Sequence, residues 1–97
     1  MQVSVSVEAQ ADFDAALEWY LEELAFDAAG GLADEFERAL TLLQSFPEMG
    51  NVGRYRTRAF TLPKFPYSLI YRTLPDTVRV IAVAHHSRPP GYWAGRR

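Results

Sequence analysis

The sequence predicts an α+β fold of one domain, residues 1–97, in the order β-α-α-β-β-β. Three observations carry that prediction. Residues 2–7 alternate strictly between polar and apolar side chains. Two apolar stripes of helical period follow between residues 9 and 43, and three β-prone runs separated by turn formers fill the rest. The expected architecture is an antiparallel meander sheet with the N-terminal strand added to it and a helical hairpin packed on one face.

Each element has its own signal. Gln2-Val3-Ser4-Val5-Ser6-Val7 reads as a short, half-buried strand. Phe13, Ala16, Leu17, Tyr20 and Leu24 keep i, i+3, i+4, i+7, i+11 spacing, one stripe of a helix from about Ala9 to Asp27. Glu8 and Asp12 suit the positive end of its dipole. Gly30-Gly31 is the predicted bend between two helices. Leu32, Phe36, Ala39, Leu40 and Leu43 mark the second helix, which Pro47, Gly50 and Asn51 end. So short a link predicts an antiparallel hairpin.

A strand is predicted over Tyr55–Leu62. With Arg54, Arg56 and Arg58 at alternate positions, those three arginines are expected on one face. Lys64-Phe65-Pro66 breaks the run, Tyr67–Arg72 is the next strand, and Leu74-Pro75-Asp76-Thr77 is a turn. Val78–Ala84 is the most apolar segment and is predicted central, buried on both faces. The tail, His85–Arg97, contains Pro89-Pro90-Gly91 and then Tyr92-Trp93, and reads equally as a helix or an extended arm.

Composition narrows the function classes. With 48% hydrophobic and 13% aromatic residues the chain is too apolar to be disordered. It has no cysteine, which excludes a disulfide scaffold and a thiolate zinc site. No run of about 18 apolar residues occurs, and the first residues lack the basic and apolar regions of a signal peptide, so no membrane partner and a cytoplasmic location are expected. The net charge of −2 conceals a polarity. Residues 1–50 carry eleven acids against Arg38, a formal −10, and residues 51–97 carry nine bases against Asp76, a formal +8. Such polarity predicts either an acidic or anionic partner on one surface or internal pairing between the halves.

Two segments resemble a known family. Arg58-Ala59-Phe60-Thr61-Leu62 with Phe65-Pro66-Tyr67-Ser68-Leu69-Ile70-Tyr71-Arg72 resembles the central hairpin of the RelE/ParE superfamily of toxins. The run from Val80 through His85-His86-Ser87-Arg88-Pro89-Pro90-Gly91 to Tyr92-Trp93 resembles the last strand and tail, especially of the ParE-like branch. Ala11-Asp12, Trp19-Tyr20, Phe36, Leu40, Pro47 and Gly50 also fit that pattern, so the resemblance spans nearly the whole chain. It implies the toxin of a type II toxin–antitoxin module, held inactive in a heteromeric complex by a cognate antitoxin protein. ParE-like members act on DNA gyrase and are not nucleases; RelE-like members cut mRNA on the ribosome without a metal or cofactor.

The resemblance also suggests site residues. Cutting RNA needs a group to activate the 2′-hydroxyl, a group to protonate the leaving oxygen, and cations for the developing charge. Matched tail to tail, Tyr92 falls at the RelE functional tyrosine and Arg88 at a family arginine. His86 stands where RelE carries a catalytic arginine. His86, Arg88 and Tyr92 are thus the catalytic set under a nuclease reading. Arg56, Arg58, Lys64, Arg72 and Trp93 are the expected target- or antitoxin-binding residues. The departure at His86, the few lysines and the pI of about 5.6 favour the gyrase-directed branch over a ribosome-dependent endoribonuclease. A relic that only binds its antitoxin is the third reading.

Simpler roles stand beside these. His85 and His86 should face opposite sides, one of them a satisfied structural histidine, and adjacent histidines lack metal-ligand spacing. Tyr67 and Tyr71 suit sheet packing, and Trp19 and Trp93 packing or a partner. Arg58 and Arg72 suit bridges to helix acids, Arg88 suits a tail anchor, and Arg96 and Arg97 fall at a terminus, where order is lost first.

Overall fold

The computed structural model describes residues 1–97. Seven elements follow in order: β1 (Gln2–Val5), α1 (Val7–Glu22), α2 (Phe26–Ser45), β2 (Asn51–Val52), β3 (Arg58–Thr61), β4 (Tyr67–Thr73) and β5 (Thr77–His85). They form one five-stranded sheet in the order β1-β5-β4-β3-β2. β1 runs parallel to β5, and the other pairs are antiparallel. The sheet is therefore mixed, a meander with β1 added beside the last strand, and the α+β expectation holds.

One buried residue joins the first two elements. The Ser6 N–H donates to Val80 O at 2.9 Å, which ends β1 against β5. The Ser6 hydroxyl accepts from Ala9 N at 3.0 Å, which caps α1. The helices form the expected hairpin, with Phe13 and Phe36 stacked at 4.2 Å between ring centroids. Their inner stripes meet Tyr67, Leu69, Tyr71, Val78, Val80 and Val83 from the sheet in the main core.

The bend between the helices is not at Gly30-Gly31. Both glycines lie inside α2, and the chain turns at Glu23–Ala25, where Leu24 takes a left-handed φ of 57°. Burial of Ala29, Leu32 and Phe36 holds the helix across the glycines, since each glycine costs only about 1 kcal/mol there. Gly31 has a packing reason: a Cβ on it would sit 3.2 Å from Phe65 Cζ.

The strand expected from Tyr55 begins instead at Arg58. Residues Arg54–Thr57 form a tight turn closed by Thr57 N–H donating to Arg54 O at 3.1 Å. Its two central residues, Tyr55 and Arg56, have φ of 59° and 58°, the pattern of a type I′ hairpin turn between β2 and β3. That turn ordinarily announces itself by Asn-Gly; Tyr-Arg does not. Arg54, Arg56 and Arg58 therefore do not share a face, and β2 was not predicted.

β5 is interior as expected, flanked by β1 and β4. Its register against β4 slips where Ile70 pairs with Ala82 but Tyr71 pairs with Val80, leaving Ile81 as the extra residue of a bulge. The slip changes which residues face which way. Val78, Val80 and Val83 enter the main core, while Ile81, Ala82 and Ala84 join Ile70 on the opposite face. That face is covered by Tyr92 and Trp93 from the tail. The tail is neither helix nor extended arm but a string of turns, with Ala94 N–H donating to Gly91 O and Arg96 N–H to Trp93 O, both at 2.9 Å. No helix is long and apolar enough to cross a membrane.

Candidate functional site

β1 stops at Val5 while β5 continues to His85, so beyond Val80 the edge of β5 has no strand beside it. Buried backbone groups left open in this way must find partners. Asp12 and Arg96 supply them. Asp12 Oδ2 accepts from Val83 N at 3.1 Å, and Arg96 Nη1 donates to Ile81 O at 3.1 Å. The two side chains then pair with each other, Arg96 Nη1 to Asp12 Oδ2 at 2.6 Å and Nη2 to Oδ1 at 3.4 Å. The pair holds the last turn of the chain to the first helix.

Tyr92 is built into the same cluster. Its hydroxyl donates to Asp12 Oδ2 at 3.5 Å. Two guanidiniums lie over its ring, Arg88 at 4.0 Å and Arg96 at 5.2 Å from the centroid. Burial, with the Asp12 charge second, pushes its pKa above the ordinary tyrosine value, against the opposing pull of the arginines. Tyr92 therefore keeps its proton at neutral pH and acts as a donor. The hydrogen bond to Asp12 raises the pKa of Arg96 in turn, so that side chain stays charged.

The two histidines diverge, as adjacent strand positions do. His85 stands edge-on to Tyr67 at 5.0 Å, and its Nδ1 accepts from Ser87 N at 3.0 Å. His86 is on the other side, its Nε2 2.9 Å from Ser68 Oγ, which lies 3.1 Å from Thr61 Oγ1. A Thr61–Ser68–His86 chain thus crosses the outer face of the sheet. The Tyr92 hydroxyl and the His86 ring have different partners, Asp12 and Ser68, so the structure does not join them in one hydrogen-bonded pair.

The basic residues are spread around the fold. Arg58 Nη1 donates to the carbonyls of Glu48 and Gly50 at 3.1 and 3.0 Å. Arg72 donates to Tyr55 O at 3.2 Å and Arg96 O at 2.6 Å. Neither bridges a helix acid, contrary to the simpler sequence reading; carbonyls left by turns bind them first. Arg56 and Lys64 extend into solvent from left-handed positions in two different turns. Trp93 packs on the outer-face cluster and edge-on against Tyr55 at 6.1 Å. Arg88 lines a groove of about 500 Å³ between α1 and the end of β5, together with Ala15, Trp19, Tyr67 and His85. Asp12 also lines that groove. No group of three or more His, Asp or Glu side chains is placed to hold a metal ion.

Asp12 and Arg96 were missed as a functional pair. Asp12 did leave a signal, because it sits within the stripe Ala9, Phe13, Ala16 that faces the sheet. An acid inside an apolar stripe predicts a buried partner. Arg96 left none: its expected terminal disorder is overturned by three hydrogen bonds to Asp12 and Ile81.

The family described as "ParE toxin of type II toxin-antitoxin system, parDE" matches residues 3–90. The chain belongs to the ParE toxin family. The match to the ParE family ends at Pro90, so Tyr92, Trp93 and Arg96 lie beyond it. Among solved structures, one titled "Chromosomal ParDE TA system from P. aeruginosa" superposes with a TM-score of 0.77 at 19% sequence identity, covering 88% of this chain and 95% of that one. At that identity the likeness shows a shared ParE-like fold. A comparison with curated protein sequences gives no match.

Proposed function

We propose that this ParE toxin arrests growth by binding DNA gyrase in the cytoplasm and is neutralised there by a cognate antitoxin protein. It works as a binding protein rather than a nuclease. The carrying observation is the state of Tyr92. Its hydroxyl is committed to Asp12, its pKa is raised by burial, and both neighbouring guanidiniums stack on its ring. A tyrosine so held is part of a lock, and His86, which would have to work with it on RNA, is engaged with Ser68. The antitoxin and the target share the basic half of the molecule. Arg56 and Lys64 offer free charges, and the groove beside Arg88 and Trp19 offers apolar area for an amphipathic segment. Arg72 and Trp93 hold the Tyr55 turn that carries Arg56, and Arg58 holds the loop at Glu48–Gly50.

One observation favours the ribosome-dependent endoribonuclease as a second reading: the Thr61–Ser68–His86 chain is solvent-accessible at His86 and neighbours Arg88 in sequence. Purified components separate the two. The free toxin is incubated with gyrase, plasmid and ATP, and separately with programmed ribosomes. Inhibited or trapped gyrase, with intact mRNA, is the expected result. Cleaved mRNA that disappears in the variant carrying both His86→Ala and Tyr92→Phe would overturn the proposal. Inertness in both assays, with no growth arrest on expression, would leave a protein that only binds its antitoxin.

A further inference from the structure

A second pocket lies at the opposite end of β4 and β5 from His86. It encloses about 580 Å³ and is lined by Arg72, Arg79, Arg96, Arg97, Leu74 and Gly95. The chain forms just two ion pairs, Arg38–Glu35 and Arg96–Asp12. Arg96 is therefore neutralised, but the side chains of Arg72, Arg79 and Arg97 have no acidic side chain as partner, and no Asp or Glu lines the pocket.

The register adds an independent observation. Arg72 and Arg79 are directly opposed on β4 and β5, and both project from the face away from the helices. Like charges at directly opposed strand positions destabilise a sheet. Arg79 spends one donor on Ser4 Oγ at 3.3 Å, and Arg72 is held by two carbonyls, so each guanidinium is fixed in place with N–H groups to spare. An anion between them would relieve the repulsion and meet donors already oriented.

We propose that this pocket binds a phosphate group. A single carboxylate would leave three clustered cations undercompensated. A phosphoryl group or short polyphosphate brings more charge and several acceptor oxygens in the forked geometry that guanidinium recognises. The volume accommodates a ligand of nucleotide size. The group comes either from a free polyphosphate or nucleotide, or from a nucleic-acid backbone. The site stands independently of the gyrase reading, since its arginines bind phosphate whatever the target is.

The test uses the full chain, with sodium tripolyphosphate followed by calorimetry and thermal unfolding, and a short single-stranded oligonucleotide followed by fluorescence anisotropy. At least one probe binds saturably, and Arg79→Gln weakens it at least about tenfold, as expected for a lost charge-assisted bond. Arg97→Gln weakens it too, and Arg38→Gln, on the second helix and paired there with Glu35, leaves it unchanged. Without a probe, Arg79→Gln unfolds no earlier than the parent, because the opposed pair is gone. That behaviour separates lost binding from lost folding. Oligonucleotide binding whose salt slope falls by about one per arginine removed assigns the phosphate to nucleic acid. Tripolyphosphate binding alone assigns it to a free ligand. No saturable binding of either probe, unchanged affinity in Arg79→Gln, or tighter binding of a glutamate peptide than of both probes overturns the proposal.

Discussion

Replacing Arg96 by alanine should free the tail and lower global stability by about 2–3 kcal/mol. The magnitude follows from what the guanidinium touches. It makes a two-pronged contact with Asp12, caps Ile81 O, and flanks the Tyr92 ring. Breaking a fully buried ion pair costs about 3–5 kcal/mol, and an exposed one about 0–1. The side chains of Arg96 and Asp12 are 22% and 16% exposed, so the pair belongs between those limits and nearer the buried one. A domain of this size loses roughly 4–8 °C of melting temperature per kcal/mol, so the drop should approach about 10 °C or more. Urea unfolding gives the free energy, and hydrogen exchange gives the location. Asp12→Ala exposes the Val83 amide directly, because Asp12 is its acceptor; Arg96→Ala leaves that bond in place. Val83 exchange should therefore accelerate far more in Asp12→Ala. Equal Val83 protection in the two variants, or a melting shift under about 2 °C for Arg96→Ala, would refute the lock.

Three further outcomes follow from particular contacts. Burial raises the pKa of Tyr67, Tyr71 and Tyr92, so the folded state holds their protons more tightly than the unfolded chain. Their stabilisation is complete below about pH 10 and is lost as pH rises through the folded values, and absorbance titration of Tyr92→Phe should show a smaller alkaline loss. Gly50→Ala would place a Cβ 2.7 Å from Tyr71 Oη and 3.1 Å from Ala59 O, and should cost about 1–3 kcal/mol in denaturant unfolding. Leu24→Gly should stabilise the chain by about 1 kcal/mol, since Leu24 is 73% exposed and holds a left-handed φ of 57° with little packing in return.

Much of the candidate site was legible in part. The opposed directions of His85 and His86 follow from strand alternation, and Tyr92 and Trp93 were visible as the large aromatics of the tail. Their surroundings were not. Tyr92 depends on Asp12, eighty residues away, and Arg72 depends on the carbonyls of Tyr55 and Arg96. The alignment of Arg54, Arg56 and Arg58 failed because period-2 reasoning presumes a continuous strand, and two left-handed residues interrupt it without the usual glycine or asparagine.

The sequence by itself determined the two helices and the four longer strands, though not β2 or the place of the helix bend, because side-chain period is a local property that burial on one face selects. It also determined the charge polarity and the family. The tertiary structure decided what period cannot encode: that β1 lies parallel to β5, that β5 bulges at Ile81 and turns its valines to the core, and that the tail closes over the outer face. The cause is a mismatch in strand length. β1 is too short to cover β5, and the open edge recruits Asp12 from the first helix and Arg96 from the last turn. Such a demand for hydrogen-bond partners arises only once the strands have met.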